Sequence, residues 1–216
     1  MISKFLASQL RQPSGWFGKQ IISRILNKDN ASMNNLTLRM LNLEAKAKGD
    51  LAHASAERVL ELGFGGGYLL SKILQNPGVE SVAGVDVSPE MVEFCKKRFS
   101  SDIEAGKLKL NCANTINCKH FDKNFTKICT VNTIYFWSDV KQTLTQLHQI
   151  LEEDGSLVIC FNSKKYLKKT ALPKHGFQTY DSEEVKNLMK AVGFKNINWI
   201  LNTEPKQQFI CIVGKK

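Results

Sequence analysis

The chain has 216 residues and a formal net charge of +10, with 43% hydrophobic and 23% charged residues. This length and composition are typical of one globular domain with a sizeable core, and they exclude two large domains. No apolar run approaches the ~20 residues that a membrane-spanning helix needs, so an integral membrane protein is not expected.

The basic excess favours acidic partners in general. The lysines are spread along the chain, apart from a group between residues 164 and 174, and no basic strip interleaved with aromatic residues appears. Nucleic acid is therefore disfavoured as a partner, and a solvated basic face is the preferred interpretation.

The first 28 residues contain five basic residues and no acidic one. Residues 1–10 resemble either an organelle presequence or membrane-surface helix, or a helix packed on the domain, and the second interpretation is preferred. Six scattered cysteines without a CxxC pair favour reduced thiols and a cytoplasmic location, with an organellar one as the alternative. No metal site is predicted.

Two helices are expected before the first strand, because apolar residues recur at helical spacing over residues 17–25 and 33–43. The polar stretch from Lys46 to Arg58 follows as a linker. We therefore divide the chain into an N-terminal helical cap, residues 1–56, and a main domain, residues 57–216.

Residues 59–70 read Val-Leu-Glu-Leu-Gly-Phe-Gly-Gly-Gly-Tyr-Leu-Leu, a pattern that predicts a buried strand, a glycine loop and a helix. Gly63, Gly65 and Gly67 allow a sharp turn and a close approach to a ligand. We expect the loop amides to face that ligand. A dinucleotide fingerprint would need glycine at position 68, where Tyr68 stands, and an acid, Glu61, lies inside the end of the strand.

The next strand, over residues 81–86, ends in a second acid, Asp86, which is placed to bind ribose hydroxyls. Ser88 then caps a helix that has Pro89 in its first position. Strand and helix alternate at a spacing that predicts right-handed crossovers in a parallel sheet.

The fourth strand, which begins at Phe125, leads into Asn132 and three consecutive aromatic residues. Strand ends in a doubly wound sheet present residues to ligands, so we expect Asn132, Tyr135 and Trp137 to face the site and Phe136 to lie in the core. A helix, a fifth strand over residues 156–161 and a lysine-rich insertion over residues 163–180 follow. Asp181 with Glu184 predicts a capping box, and residues 194–201 and 207–213 predict a closing hairpin.

The glycine loop and the acid after the second strand make the chain resemble the class I S-adenosylmethionine-dependent methyltransferases of the small-molecule "type 11" group. The resemblance implies a doubly wound, seven-stranded, mostly parallel Rossmann-like α/β sheet with an N-terminal helical lid, and a last strand that runs antiparallel. It also implies S-adenosyl-L-methionine as cofactor, methyl transfer to a small-molecule acceptor (EC 2.1.1.-), and a loop that holds the methionine part while Asp86 binds the ribose.

The resemblance assigns roles to individual residues. The implied cofactor-binding residues are Glu61, Gly63, Phe64, Gly65, Gly67, Asp86, Val87, Ser88, Met91, Ala113, Asn114 and Asn132. The implied substrate pocket contains Trp16, Tyr135 and Trp137. Tyr135 and His175 are the candidate general bases, since a base is needed only when the acceptor holds a proton. Some relatives also carry segments similar to Gln12–Gly15 and Met33-Asn34, whose helices fold over the cofactor.

The sequence departs from the family pattern in one cofactor position. Many relatives end the third strand with Gly-Asp-Ala, where the acid binds adenine, whereas this chain has Cys112-Ala113-Asn114. The alternatives are thus a cofactor-binding regulatory module without methyl transfer, and a nicotinamide-dependent oxidoreductase. A base-directed nucleic-acid methyltransferase is disfavoured, because the Pro-Pro-Tyr type motif is replaced by residues 132–135. The sequence predicts neither the acceptor nor the oligomeric state.

Overall fold

A computed structural model describes residues 4–11, 30–43, 56–113 and 125–216. Its centre is a seven-stranded sheet in the order β3-β2-β1-β4-β5-β7-β6. The strands are β1 Glu57–Leu62, β2 Val79–Asp86, β3 Leu108–Cys112, β4 Phe125–Val131, β5 Leu151–Asn162, β6 Lys195–Glu204 and β7 Gln207–Lys215. Strands β1 to β5 pair in parallel, whereas β7 is antiparallel to β5 and β6. The predicted mostly parallel sheet with a closing hairpin is confirmed.

Helices flank the sheet on both faces. They are α1 Lys4–Arg11, α2 Ala31–Leu41, α3 Tyr68–Leu74, α4 Pro89–Arg98, α5 Ser100–Glu104, α6 Val140–Ile150, α7 Lys164–Leu167 and α8 Ser182–Ala191. Two 3-10 turns span Ile134–Phe136 and Leu172–His175. No described helix combines the length and the apolar character needed to cross a bilayer.

The core consists of two apolar layers, one on each face of the sheet. The first layer joins α6 and α8 to alternate residues of the strands, such as Leu60 and Ile159. The second layer joins α2, α3 and α4 to the intervening residues, such as Val59 and Val158. Because successive side chains of a strand point to opposite faces, strands this apolar must be covered on both sides.

Side chains at the helix starts fix where the helices begin. The hydroxyl of Ser88 accepts the N–H of Met91 at 3.2 Å, and Pro89 occupies the first turn of α4. Asp181 and Glu184 form the predicted capping box at α8. Each cap satisfies N–H groups that have no partner within the helix.

The described part of the N-terminal region packs on the domain. In α1, Ala7 is buried in the first apolar layer, as the preferred interpretation of residues 1–10 expects. In α2, Met33, Leu36 and Leu41 are buried against the second layer, so α2 covers one face of the sheet. The segment Gln12–Gly15 lies outside the described residues.

Candidate active site

The loop between β1 and α3 turns through three glycines with positive φ. These angles are +70° at Gly63, +50° at Gly65 and +72° at Gly67. A Cβ on Gly63 would lie 2.3 Å from Cγ2 of Thr133, and one on Gly67 would lie 2.6 Å from the Phe99 ring. A Cβ on Gly65 would meet nothing within 4 Å. Gly63 and Gly67 are thus required for packing, whereas Gly65 leaves the backbone open to a ligand.

The N–H groups of these three glycines already have partners within the protein. Gly63 donates to the carbonyl of Val85 at 2.7 Å, and Gly67 donates to the carbonyl of Phe64 at 2.8 Å. Gly65 donates to Oδ2 of Asp86 at 2.8 Å. The expectation that the loop amides face a ligand is therefore wrong for these three residues, because their N–H groups hold the shape of the loop.

Helix α4 holds the back of the loop. Nη1 of Arg98 donates to the Gly66 carbonyl at 2.6 Å, and the Cys95 thiol donates to the Gly65 carbonyl at 3.4 Å. Burial, with the nearby Glu61 charge, raises the pKa of Cys95 to about 12, so this thiol keeps its proton at neutral pH. Two carbonyls of the loop are thereby fixed from the side opposite the opening.

Asp86 lies at the carboxyl end of β2 and is 7% exposed. Its Oδ2 accepts the N–H of Gly65, and its Oδ1 accepts the N–H of Ser88 at 2.9 Å. Burial raises the pKa of Asp86, and the backbone N–H groups of Ser88, Gly65 and Val87 oppose that rise. Since each carboxylate oxygen has two lone pairs, both oxygens can accept a further hydrogen bond from a ligand.

Glu61 lies at the end of β1, next to Asp86, and is 4% exposed. Its Oε2 has no hydrogen-bond partner among the described residues. Burial, followed by the charge of Asp86, raises the pKa of Glu61 to about 8. A buried oxygen without a partner is unfavourable in the free protein and is suited to a cationic or hydrogen-donating ligand group.

The other predicted cofactor-binding residues that follow β1, β2 and β3 differ in their burial. Val87 and Ala113 are half-buried at the edge of the site, and the N–H of Ala113 donates to the Asp86 carbonyl at 3.1 Å. Ser88 and Met91 are fully buried as the cap and core of α4, and the side chain of Phe64 is buried under Gly84. The side chains of these last three residues pack inside the protein, and their cofactor-binding role stays a prediction.

The end of β4 supplies Asn132 and Tyr135. Asn132 has a φ of +60°, and its Oδ1 accepts the Tyr135 hydroxyl at 2.7 Å. That hydroxyl also accepts the N–H of Asn162, and Tyr135 is only 2% exposed. Burial raises the pKa of Tyr135 above its usual range. Tyr135 therefore links the ends of β4 and β5, and it is buried rather than at the expected place at the mouth of the site. Phe136 is half-buried and packs against the first apolar layer, in agreement with its expected place in the core.

Side-chain amides form a cluster beside this tyrosine, which we call the amide cluster. Nδ2 of Asn132 donates to Oδ1 of Asn30 at 2.9 Å, and Nδ2 of Asn162 donates to Oδ1 of Asn132 at 3.1 Å. Nε2 of Gln207 donates to Oδ1 of Asn162 at 2.9 Å and lies 3.2 Å from Sδ of Met33. The cluster joins α2 to the ends of β4 and β5 and the start of β7.

Comparison with known proteins agrees with this geometry. Residues 60–159 match a family model described as a methyltransferase domain. A ubiquinone/menaquinone biosynthesis C-methyltransferase of Geotalea uraniireducens is 26% identical over 179 residues, which cover 68% of this chain and 74% of that protein. The matched segment of the family model includes the glycine loop, Asp86 and the end of β4.

Residues 60–159, just under half of the chain, are therefore similar to a methyltransferase domain. Solved structures support the same fold. A chain of the complex between a Haloferax volcanii methyltransferase and the Trm112 methyltransferase activator superposes with a TM-score of 0.73 at 16% identity, covering 92% of this chain and 95% of that one. The N-methyltransferase NodS of Bradyrhizobium japonicum, in complex with S-adenosylhomocysteine, gives a TM-score of 0.68 at 12% identity, covering 99% and 97%.

The remaining predicted site residues are Trp137, His175, Trp16 and Asn114. Trp137 is half-buried against the first apolar layer, after the 3-10 turn that ends at Phe136. His175 ends the 3-10 turn Leu172–His175, which contacts α1. Trp16 and Asn114 lie outside the described residues.

Several residues of this site were not predicted from the sequence. Thr133 packs over Gly63, Arg98 holds the Gly66 carbonyl, and Asn162 and Gln207 complete the amide cluster. The rule that carboxyl ends of parallel strands share one edge points to Asn162, the last residue of β5. No local pattern in the sequence identifies Arg98 or Gln207.

Proposed function

We propose that this protein is a methyltransferase that binds S-adenosyl-L-methionine at the carboxyl ends of β1 and β2 and transfers its methyl group to a small-molecule acceptor. The observation that carries the proposal is the pair of neighbouring buried acids, Glu61 and Asp86, at the carboxyl ends of β1 and β2, where Gly65 leaves an open bend. Glu61 has an oxygen without a partner among the described residues, and Asp86 retains lone pairs after accepting backbone N–H groups.

These residues fit the two polar ends of the cofactor. The unpartnered Oε2 of Glu61 is suited to an ammonium group such as that of a methionine moiety, since a charged partner relieves the burial of the carboxylate. Asp86 would accept the ribose hydroxyls. Gly65 would allow the ligand to contact the backbone, because no side chain occupies that space.

Bound S-adenosyl-L-methionine supplies a methyl group on a sulfonium centre, so the C–S bond breaks with its electron pair going to sulfur as the acceptor–carbon bond forms. The work left to the protein is to align the reactants and to exclude water. Glu61, Asp86 and the glycine loop would fix the cofactor. Val87 and Ala113, half-buried at the edge of the site, would pack against its base.

The acceptor would approach from the side of the amide cluster and Trp137. The described groups there are amides, a thioether and a hydroxyl, and the pKa of that hydroxyl is raised by burial. Tyr135 is therefore a positioning residue for Asn132 in this proposal. The amides would orient polar atoms of the acceptor through neutral hydrogen bonds.

We assign residues 57–216 to the cofactor-binding domain and residues 1–56 to a cap. The amide of Asn30, just before α2, contacts Asn132 and so brings the cap to the edge of the site. The five described cysteines are free, which fits a reducing compartment such as the cytoplasm. No described helix is suited to span a bilayer.

The test is a transfer assay with S-adenosyl-L-methionine labelled in its methyl group. The purified protein is incubated with the small-molecule, protein and nucleic-acid fractions of a cell extract, and label in each fraction is counted. We expect protein-dependent label in the small-molecule fraction, with loss of that signal in Asp86→Asn. Label only in the macromolecular fractions would contradict the proposed acceptor class.

A second candidate function is a regulatory module that binds the cofactor without using it. The observation that favours it is the absence of an acid at the end of β3, where Cys112 and Ala113 stand. This candidate predicts tight binding of S-adenosylhomocysteine together with no label in any fraction. The same assay therefore distinguishes the two functions.

A further inference from the structure

Strand β6 forms one edge of the sheet and carries an unusual group of exposed apolar side chains. Trp199, Ile200 and Leu201 are 39%, 47% and 47% exposed, and they are the large hydrophobic side chains that stay exposed among the described residues. They are consecutive, so they occupy both faces of the strand. A group of exposed large apolar side chains on an edge strand favours an interaction site.

The outer edge of β6 also lacks the usual protection against pairing. Edge strands of soluble proteins are commonly interrupted by lysine, proline or a bulge. In β6 the irregular register between Lys195 and Asn198, with a φ of +49° at Asn196, disturbs only the first residues. Residues 198–204 pair regularly with β7 and contain neither lysine nor proline. Their outward backbone groups form a template for another strand.

We propose that this edge pairs with β6 of a second copy of the chain in a two-fold symmetric, antiparallel arrangement. A two-fold axis perpendicular to the sheet keeps each face on its own side, so residues opposite each other must belong to the same face. This condition permits a register centred on Ile200, in which Ile200 lies opposite Ile200 of the second copy.

That register is self-complementary for all three exposed apolar residues. Trp199 and Leu201 share one face, as their β7 partners Ile212 and Ile210 show, and Ile200 lies on the other face opposite Cys211. Centring on Ile200 places Trp199 opposite Leu201 of the second copy and Leu201 opposite Trp199 of the second copy. Aromatic–aliphatic and β-branched cross-strand pairs of this kind stabilise antiparallel sheets.

The polar residues of the strand are also accommodated. In the same register Asn198 lies opposite Asn202 of the second copy, so amide faces amide. A shift by two residues would place Ile200 opposite Asn198 instead, and the apolar match would be lost for that residue. A second copy thus covers the exposed apolar surface in one register.

The centre of the proposed interface lies away from the candidate active site. Four strand spacings, or about 19 Å, separate β6 from the cofactor end at β1. Gln207 of the amide cluster pairs with Glu204, which is four residues, or about 13 Å, along β6 from Ile200. Turnover and S-adenosylhomocysteine binding are therefore expected to be independent of this interface. If the proposed dimer is not found, the proposed function is unaffected, and the converse also holds.

The first test measures the molar mass of the full chain by sedimentation equilibrium. Protein concentrations of about 10–200 µM are used, so that a dimer with a micromolar dissociation constant is detected. The wild type is expected to reach twice its mass of 24.3 kDa. Ile200→Lys places two charges opposite each other and should give a monomer. The matched control is Asn187→Lys, which adds the same charge at an exposed position of α8 and should remain dimeric.

A second test determines the register, and it holds even if Ile200→Lys disturbs folding. In a background with Cys112→Ser and Cys118→Ser, Ile200→Cys should cross-link to its own copy under mild oxidation. Thr203→Cys should not, because its counterpart lies six residues along the strand, or about 20 Å away. A monomeric wild type at all concentrations, a dimer that persists in Ile200→Lys, or equal cross-linking of the two cysteine variants would overturn the proposal.

Discussion

Glu61 is a buried acid whose pKa differs strongly between the unfolded and folded chain. Its pKa rises from an ordinary value of 4.5 to about 8, first through burial and then through the charge of Asp86. Between these values the unfolded chain has released the proton that the folded chain still holds. Stability to unfolding therefore falls as the pH rises from about 4.5 to about 8, and it is constant above that range.

Glu61→Gln should remove this loss, since a neutral amide imitates the protonated acid. We expect the variant to be more stable than the wild type by about 2–5 kcal/mol at pH 9, and the two to converge near pH 4.5. Urea unfolding at a series of pH values measures the difference. Glu93→Gln, at an exposed acid of α4, serves as the control for the removal of one carboxylate from the surface. A constant difference between Glu61→Gln and the wild type would contradict the assignment.

Tyr135 shows, at the same scale, where residue patterns mislead. Three consecutive aromatic residues cannot all enter the core, and the sequence favours Phe136 as the core residue. The structure places Tyr135 and Phe136 in a 3-10 turn, where Tyr135 turns inward to bond Asn132 and Asn162. The hydroxyl makes a buried tyrosine favourable here because both of its hydrogen-bonding functions are satisfied.

At the scale of the element, two glycines allow the effect of backbone strain to be distinguished from the effect of ligand contact. Gly65 and Gly106 both have positive φ, +50° and +71°, and a Cβ on either would meet nothing within 4 Å. The two positions therefore carry a similar backbone preference for glycine. Only Gly65 lies at the carboxyl ends of β1 and β2.

Gly65→Ala and Gly106→Ala should thus differ in binding but not in stability. Each should lose about 1–2 kcal/mol, the cost of a left-handed conformation for an L-residue. Gly65→Ala should also weaken S-adenosylhomocysteine binding by at least about tenfold, since its Cβ enters the space through which a ligand would contact the backbone. Thermal unfolding and calorimetric titration of both variants check this. Equal affinities would remove Gly65 from the binding surface.

The glycine loop also shows what the sequence could and could not predict about an element. The strand–loop–helix pattern and the three positive φ angles follow from the glycine spacing. The pattern does not reveal that the loop N–H groups bond Val85, Phe64 and Asp86, because those partners are set by the packing of β2 against β1. The same spacing fits a loop whose amides face a ligand.

At the scale of the whole molecule, the sheet was predictable because its strands are apolar runs separated by capped helices. Ser88, Asp181 and Glu184 take the capping roles expected of them. The amide cluster was not predictable, because residues 30, 132, 162 and 207 come from four distant segments, and each is an ordinary polar residue in its own context. Only the topology brings them together.

The exposed apolar strand illustrates the same limit. Residues 194–201 predict a strand, yet nothing in that run shows that it forms the edge of the sheet. The position of β6 is decided by β7, which inserts between β5 and β6. Exposure of Trp199, Ile200 and Leu201 is therefore a property of strand order rather than of composition.

The central claim is that two buried acids and an open glycine bend bind S-adenosyl-L-methionine. Calorimetric titration of the wild type and of Asp86→Asn with S-adenosylhomocysteine, with NAD as the comparison ligand, tests it most directly. We predict saturable binding to the wild type and at least about tenfold weaker binding to Asp86→Asn, since each charge-assisted hydrogen bond contributes about 1.5–3 kcal/mol. No binding of S-adenosylhomocysteine at millimolar concentration, or tighter binding of NAD, would contradict the claim.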